Sequence, residues 1–313
     1  MRLIPAVTAA GALAAALLYA GDQKKDDPSQ IGNRDVGKGV NFYSLDKEMA
    51  LGRQLAQEVK RQTKLLDDPL VGEFVNRVGQ NLVRNSDAKV PFTFEVIDGP
   101  EVNAFALPGG YVFVYTGLVK MADEEDEFAG ALAHEIAHVA ARHMTRQATR
   151  QQIAQMGSIP LGVLLGGWGG MAARQGAGLG IPMTFLSFGR KDEAEADYLG
   201  VQYMYAAGYD PNGAVSMFEK LEALERSQPG AVSRLFATHP MDADRIGKTQ
   251  REIDRILPSR REYVVTTAEY SAIRERLLAR DSRRKPDDVK PRLKVAPGAR
   301  DDDRPTVRRH DWM

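Results

Sequence analysis

His134-Glu135-Ile136-Ala137-His138 restricts this chain more than any other segment, because it sets two imidazoles and a carboxylate into what its flanks mark as a buried helix. Positions i and i+4 of a helix point nearly the same way, one turn apart, so His134 and His138 suit two neighbouring corners of one tetrahedral metal site. Asp123-Glu124-Glu125-Asp126-Glu127 comes before an alanine-rich body from Phe128 to Val139, and Arg142-His143 follows it. Acids at the start and bases at the end match the helix dipole. An alanine-rich helix packs closely on all sides, and histidines buried in it are costly unless something satisfies them. One Zn2+ per chain is the expected cofactor. Glu135 then sits beside the metal as a general base for a water whose pKa the metal lowers to about 7.

Two histidines leave a hydrolytic zinc one protein ligand short. His143 follows closely, but Val139-Ala140-Ala141-Arg142 lacks the helix-breaking Gly that would bring a third histidine round to the metal, so His143 reads as a support to the ligands or a helix-end cap. A second alanine-containing helix is expected over Arg190 to Gly200, with Glu193 and Asp197 on one face at i and i+4. Glu193 is the expected third ligand. Asp197, one turn on, is placed to accept the free N–H of a ligating imidazole, and Glu195 reads as an exposed acidic helix start.

Four blocks in order give the chain a family resemblance: Val102-Asn103-Ala104-Phe105-Ala106-Leu107-Pro108-Gly109-Gly110, then His134 to His138 with Arg142-His143, then Glu193-Ala194-Glu195-Ala196-Asp197, then Thr238-His239-Pro240 with Arg245-Ile246. The chain resembles the gluzincin peptidase family that contains the CAAX prenyl protease, the HtpX heat-shock protease, the mitochondrial Oma protease and the periplasmic β-barrel assembly-enhancing protease. The likeness runs from about Phe42 to about Leu278. It implies an α+β, mainly helical zincin-like metalloprotease domain with a small β-sheet beside the active-site helix. It also implies His134, His138 and Glu193 as zinc ligands and Glu135 as general base, roles the spacing already suggests.

His239 carries two readings. It donates a hydrogen bond to the oxyanion that develops on the scissile carbonyl, or, as the resemblance permits, it occupies the open zinc position and holds the enzyme latent. Arg245 supports either role by pairing with Asp197 or another carboxylate.

Around the motif the hydrophobic periods outline the domain. Leu45 to Val59 and Leu70 to Val83 carry helical stripes, the second entered through Asp68-Pro69, an N-cap and a first-turn proline. After Pro91 the pattern alternates, giving a strand from Phe92 to Ile97. A hairpin follows: Val102 to Leu107, the Pro108-Gly109-Gly110 turn, and Tyr111 to Tyr115. A peptidase holds an extended substrate along an exposed strand edge, and Asn103, Ala104, Phe105 and Ala106 are the candidate substrate-binding edge, with small side chains that let another backbone approach. Residues 157–189 are rich in Gly and carry Trp168 among aliphatics, which suits a lid over the cleft, a bilayer interface or a loosely packed hairpin. Arg261 to Thr267 reads as a short strand and Ala268 to Ala279 as a closing helix.

Residues 1–20 read as an export signal or N-terminal anchor, residues 21–40 as a flexible linker, 41–279 as the catalytic domain and 280–313 as a disordered charged tail. These place the protein outside the cytoplasmic membrane, in the periplasm or envelope, with peripheral membrane contact possible. The 42 basic and 42 acidic residues balance, which disfavours a nucleic-acid partner, and the absence of cysteine excludes thiolate metal ligands. The expected function is a zinc metalloendopeptidase acting on misfolded or misassembled envelope proteins. The rival reading is a metal-bound chaperone or adaptor that holds such clients without cutting them. No partner protein is named by the residues.

Overall fold

The computed structural model describes residues 27–156, 187–241 and 244–283. The elements, in order, are α1 (Leu45–Gln62), α2 (Pro69–Arg84), β1 (Thr93–Ile97), β2 (Ala104–Leu107), β3 (Tyr111–Tyr115), α3 (Thr116–Met121), α4 (Glu125–Ala140), α5 (His143–Met156), α6 (Arg190–Ala207), α7 (Asn212–Ser227), α8 (Ser233–Thr238), α9 (Arg245–Ile256) and α10 (Ala268–Arg283). This is the expected mainly helical α+β domain with one small sheet. The strand order is β1-β3-β2, with β3 parallel to β1 and antiparallel to β2.

The motif helix α4 is the centre of the packing, touching α6, α7, α2 and β2. All of its residues except Ala131 and Val139 are buried, as an alanine-rich helix without a polar stripe requires. Its start is fixed by the Glu127 carboxylate, which accepts from the Asp123 and Glu124 backbone N–H groups at 2.7 and 3.4 Å. The sheet lies beside it with Phe113 and Val114 wholly inside; α2 packs on the same face as α4 through Val71, Phe74, Val78 and Leu82, and α1 covers the other face with Ala56 and Val59.

The hairpin forms as expected, and its turn depends on Gly109 and Gly110 at φ 74° and 90°, in the left-handed region. Tyr115 N–H donates to Asn103 C=O at 3.0 Å, which fixes the hydrogen-bonding phase of β2. The main-chain groups of Asn103, Phe105 and Leu107 face β3, so those of Ala104 and Ala106 face the free edge of the sheet.

Several expectations are corrected. Residues 27–40 do not run free as a linker: Arg34 is 4% exposed and pairs with Asp87 Oδ2 and Gln202 Oε1, both at 2.6 Å, and Val36 joins the core. A polar, Gly-containing stretch looks solvated until its one arginine meets a carboxylate far along the chain. Asp68 sits at the start of α2, but its carboxylate accepts from Arg276 Nε at 2.6 Å and makes no cap bond. Arg261 to Thr267 forms no strand, only a bridge from Val264 to Tyr209, because its main chain bonds Gly208 and Asp210 after α6 and Asp126 of α4 and does not reach the sheet. The closing helix continues past Ala279 to Arg283. The expected signal segment, most of the Gly-rich segment (157–186) and the tail from 284 lie outside the described residues. No helix among the described residues is long and apolar enough to cross a membrane.

Candidate metal centre

Three elements bring the candidate metal-ligating side chains together. α4 supplies His134 and His138, α6 supplies Glu193, and the end of α8 supplies His239. Gly200 eases the close approach of α6 to α4, since a Cβ there would meet His134 N at a tight 3.3 Å. That approach brings the first turn of α6 to the histidines.

One ligand atom from each of His134, His138, Glu193 and His239 lies within 4.8 Å of all the others, and all four residues are buried. His134 Nε2 is 2.9 Å from His138 Nε2 and 3.4 Å from Glu193 Oε2, and His138 Nε2 is 3.3 Å from Glu193 Oε1. Two ligands about 2.0–2.1 Å from a tetrahedral zinc sit about 3.3 Å apart. Glu193 Oε2 gives a second indication. It is buried and has no hydrogen-bond partner, for Arg245 Nη1 at 3.1 Å lies within ion-pair range without hydrogen-bond geometry. A nitrogen, nitrogen and oxygen donor set of this spacing, with an unsatisfied carboxylate oxygen, fits a divalent cation of the zinc type.

The supporting groups are in place around it. Asp197 Oδ1 lies 2.9 Å from His134 Nδ1. Arg245 holds Asp197 through Nε to Oδ2 at 2.6 Å and Nη2 to Oδ1 at 2.7 Å, and lies over the Phe218 ring at 4.4 Å. Arg245 Nη2 also approaches His134 Nδ1 at 3.3 Å. The shorter contact to a carboxylate, which only accepts, makes His134 Nδ1 the donor to Asp197. His143 is wholly buried, with Nδ1 2.9 Å from His138 Nδ1.

The electrostatics follow from this crowding. Burial opposes charge on His134, but the Asp197 hydrogen bond and the negative charges of Glu193 and Asp197 outweigh it and push the imidazole up to about 9 among the protein groups alone. Burial and the charge of His134 drive His138 well below the ordinary histidine range. Burial raises the Glu135 carboxyl; the charges of His239 and His134 and the Ala106 backbone N–H act against it. A buried carboxyl with a raised pKa is suited to proton transfer near neutrality. His239 bridges the two functions, with Nδ1 3.1 Å from Glu193 Oε1 and 3.2 Å from His134 Nε2, and Nε2 3.3 Å from Glu135 Oε1.

Clefts open on both flanks. One, of about 460 Å³, runs beside His134, Glu135 and His239 between Met217, Phe218, Leu221, Leu235, Phe236 and Met241. The other, of about 290 Å³, lies beside His138 between Ala106, Leu107, Met144 and Phe188. The strand edge adjoins both: Ala104 lines the first and Ala106 the second. Among the candidate edge residues, Ala104 and Ala106 turn their main-chain groups away from β3, the Ala106 N–H toward the Glu135 carboxyl, Phe105 packs on Phe113 with centroids 5.3 Å apart, and buried Asn103 Oδ1 has no hydrogen-bond partner.

Two residues at the site escaped the sequence reading. Phe188 stacks on His138 at 3.9 Å, and no spacing rule marks an aromatic just before an acidic helix. Glu195, read as exposed, lies 3.1 Å from His143 Nε2 and 3.3 Å from Arg146 Nη1. Its position between Glu193 and Asp197 was visible, but not the helix that packs against that side.

The model of peptidase family M48 matches residues 69–253. The chain is 31% identical over 242 residues to the β-barrel assembly-enhancing protease of Yersinia pestis, covering 74% of this chain and 49% of that protein. It is 32% identical over 235 residues to that of Escherichia coli K12, 72% of this chain and 47% of the relative. It is 35% identical over 239 residues to the mitochondrial metalloendopeptidase OMA1 of Schizosaccharomyces pombe, 73% of this chain and 65% of that protein. The chain thus spans about half the length of the bacterial relatives.

Proposed function

Because this chain belongs to peptidase family M48, we propose that it is a zinc metalloendopeptidase in which His134, His138 and Glu193 hold the metal and Glu135 is the general base. The observation that carries the proposal is the convergence of those three side chains, drawn from two helices, at ligand spacing. When bound, zinc polarises the scissile carbonyl and lowers the pKa of a water to about 7. Glu135 takes the proton of that water on its carboxylate and returns it to the leaving amine. Asp197, held by Arg245, keeps the His134 ring turned with Nε2 toward the cluster.

The substrate is an extended peptide laid along β2. The outward main-chain groups of Ala104 and the outward carbonyl of Ala106 read its backbone without regard to sequence. The apolar cleft by His239 takes a large apolar side chain next to the cleaved bond. Unfolded or misassembled proteins expose such residues and backbone together. With the apolar segment at residues 3–20 and relatives named for β-barrel assembly, this supports envelope proteins as substrates and the periplasm or envelope as the compartment.

His239 Nδ1 lies among the ligand atoms, which favours the latched reading over a role confined to the oxyanion. His239→Ala decides between them on a peptide substrate: raised turnover supports the latch and lost turnover the oxyanion donor. For the activity itself the test is casein digestion. Cleavage should require a stoichiometric metal, stop on chelation, and be lost in Glu135→Gln while that variant keeps its metal. Client binding without cleavage under all metal conditions sinks the peptidase and leaves the chaperone or adaptor.

A further inference from the structure

The other ligating imidazole has no carboxylate of its own. His134 donates directly to Asp197, whereas His138 turns its Nδ1 to another imidazole, the Nδ1 of His143, at 2.9 Å. His143 in turn sets Nε2 3.1 Å from Glu195 Oε2.

The proton positions along this chain follow from its far end. An ionised carboxylate only accepts, so His143 Nε2 must carry a proton and donate it to Glu195. A neutral His143 then has a lone pair on Nδ1, which accepts from His138 Nδ1–H. With its proton on Nδ1, His138 presents a bare Nε2 to the cluster, which is the form that coordinates a metal. Reversing the last link would leave His138 with an N–H pointing into the site.

We propose that Glu195, acting through His143, is the positioning residue that fixes His138 in its metal-binding tautomer. This rests on the zinc reading above and adds to it a residue outside the ligand set. In this arrangement α6 serves both imidazoles: Glu193 belongs to the ligand cluster, Asp197 anchors His134 directly, and Glu195 anchors His138 through one intermediary.

The geometry around the relay is built to hold it. His143 begins α5 after a sharp corner at Arg142, a non-glycine residue with φ 58°. That corner is pinned by Arg142 Nε donating to the buried Glu48 carboxylate at 2.8 Å, with Arg142 also donating to the Tyr43 carbonyl. Arg146, one turn along α5, donates to the same Glu195 oxygen at 3.3 Å and so holds the carboxylate against His143. Phe188 stacks on His138 and restricts rotation of that ring.

The test uses the zinc-loaded full chain with 15N-labelled histidine. Long-range proton–nitrogen correlation should find His143 protonated on Nε2 alone and His138 on Nδ1. Chelator competition should then show the zinc Kd raised ten- to hundredfold in Glu195→Ala and in His143→Leu, the range seen when a ligand's hydrogen-bond partner is removed. His143→Gln, whose side-chain carbonyl accepts from His138, should recover most of that loss. In the presence of EDTA, Glu195→Ala should melt below the wild type, because the wholly buried His143 loses its acceptor, so the relay is read in the smaller gain of midpoint on adding zinc, which a merely structural carboxylate would leave unchanged. If His143→Leu does not fold, Glu195→Ala and the wild-type tautomer decide alone. His143 protonated on Nδ1, or variants that bind zinc within twofold of wild type, overturns the relay while leaving the zinc site standing. A wild-type chain that takes up no zinc overturns both.

Discussion

Replacing Arg245 with Met should destabilise the chelated protein by about 3–5 kcal/mol, the cost of removing one partner from a buried ion pair. The structure places Arg245 at 6% exposure with two short bonds to Asp197, and its Nη1 is 3.1 Å from Glu193 Oε2. Methionine retains most of the buried aliphatic volume, so little of the loss comes from a cavity. What remains is two carboxylates stranded in a dry site. Contact of the guanidinium with the Phe218 ring adds about 0.5–2 kcal/mol to the same loss. The assay is urea denaturation in EDTA followed by circular dichroism, and a loss of this size lowers Tm by roughly 10 °C for a domain this large. Adding Asp197→Asn removes one stranded charge, so the double variant should lose at least about 1 kcal/mol less than the sum of the singles. A single-variant loss below about 1 kcal/mol, or strict additivity, would refute the reasoning.

Three further outcomes follow from other parts of the molecule. Burial pushes the Asp126 carboxyl up to about 7 from an ordinary 3.8, so between those values the unfolded chain is ionised while the folded one is not, and stability falls as pH rises through that window. Asp126→Asn should therefore be stabilising by on the order of 2 kcal/mol at pH 8, half the full linkage value once solvent screening is allowed for, and nearly neutral at pH 4. Denaturation at the two pH values checks it; an equal effect at both removes the cause. A Cβ on Gly52 would lie 1.7 Å from Pro108 O, so Gly52→Ala should push α1 off the hairpin turn and cost about 3 kcal/mol or more; melting within 2 °C of wild type would show the contact to be yielding. Leu235→Trp fills the apolar cleft and should reduce kcat/KM at least tenfold for peptides with Phe beside the cleaved bond relative to Ala. An equal loss on both peptides would place that side chain elsewhere.

Much of the site was legible in the sequence because helical spacing converts directly into direction. His134 and His138 at i, i+4 must share a face, Glu193 and Asp197 likewise, and the alanine content of α4 announces a helix enclosed on all sides. Alternation and a Pro-Gly-Gly turn were likewise enough to read the β2–β3 hairpin, since strand period and turn chemistry are local properties. What only tertiary structure decided were pairings whose partners stand far apart along the chain: Arg34 with Asp87, Arg276 with Asp68, and His143 with Glu195. Composition assigns a charged side chain to solvent by default, and only the packing of two helices can show that an opposite charge waits inside. The strand that fails to form at residues 261–267 has the same origin, because its main-chain partners, Gly208, Asp210 and Asp126, are set by how the helices pack and lie away from the sheet.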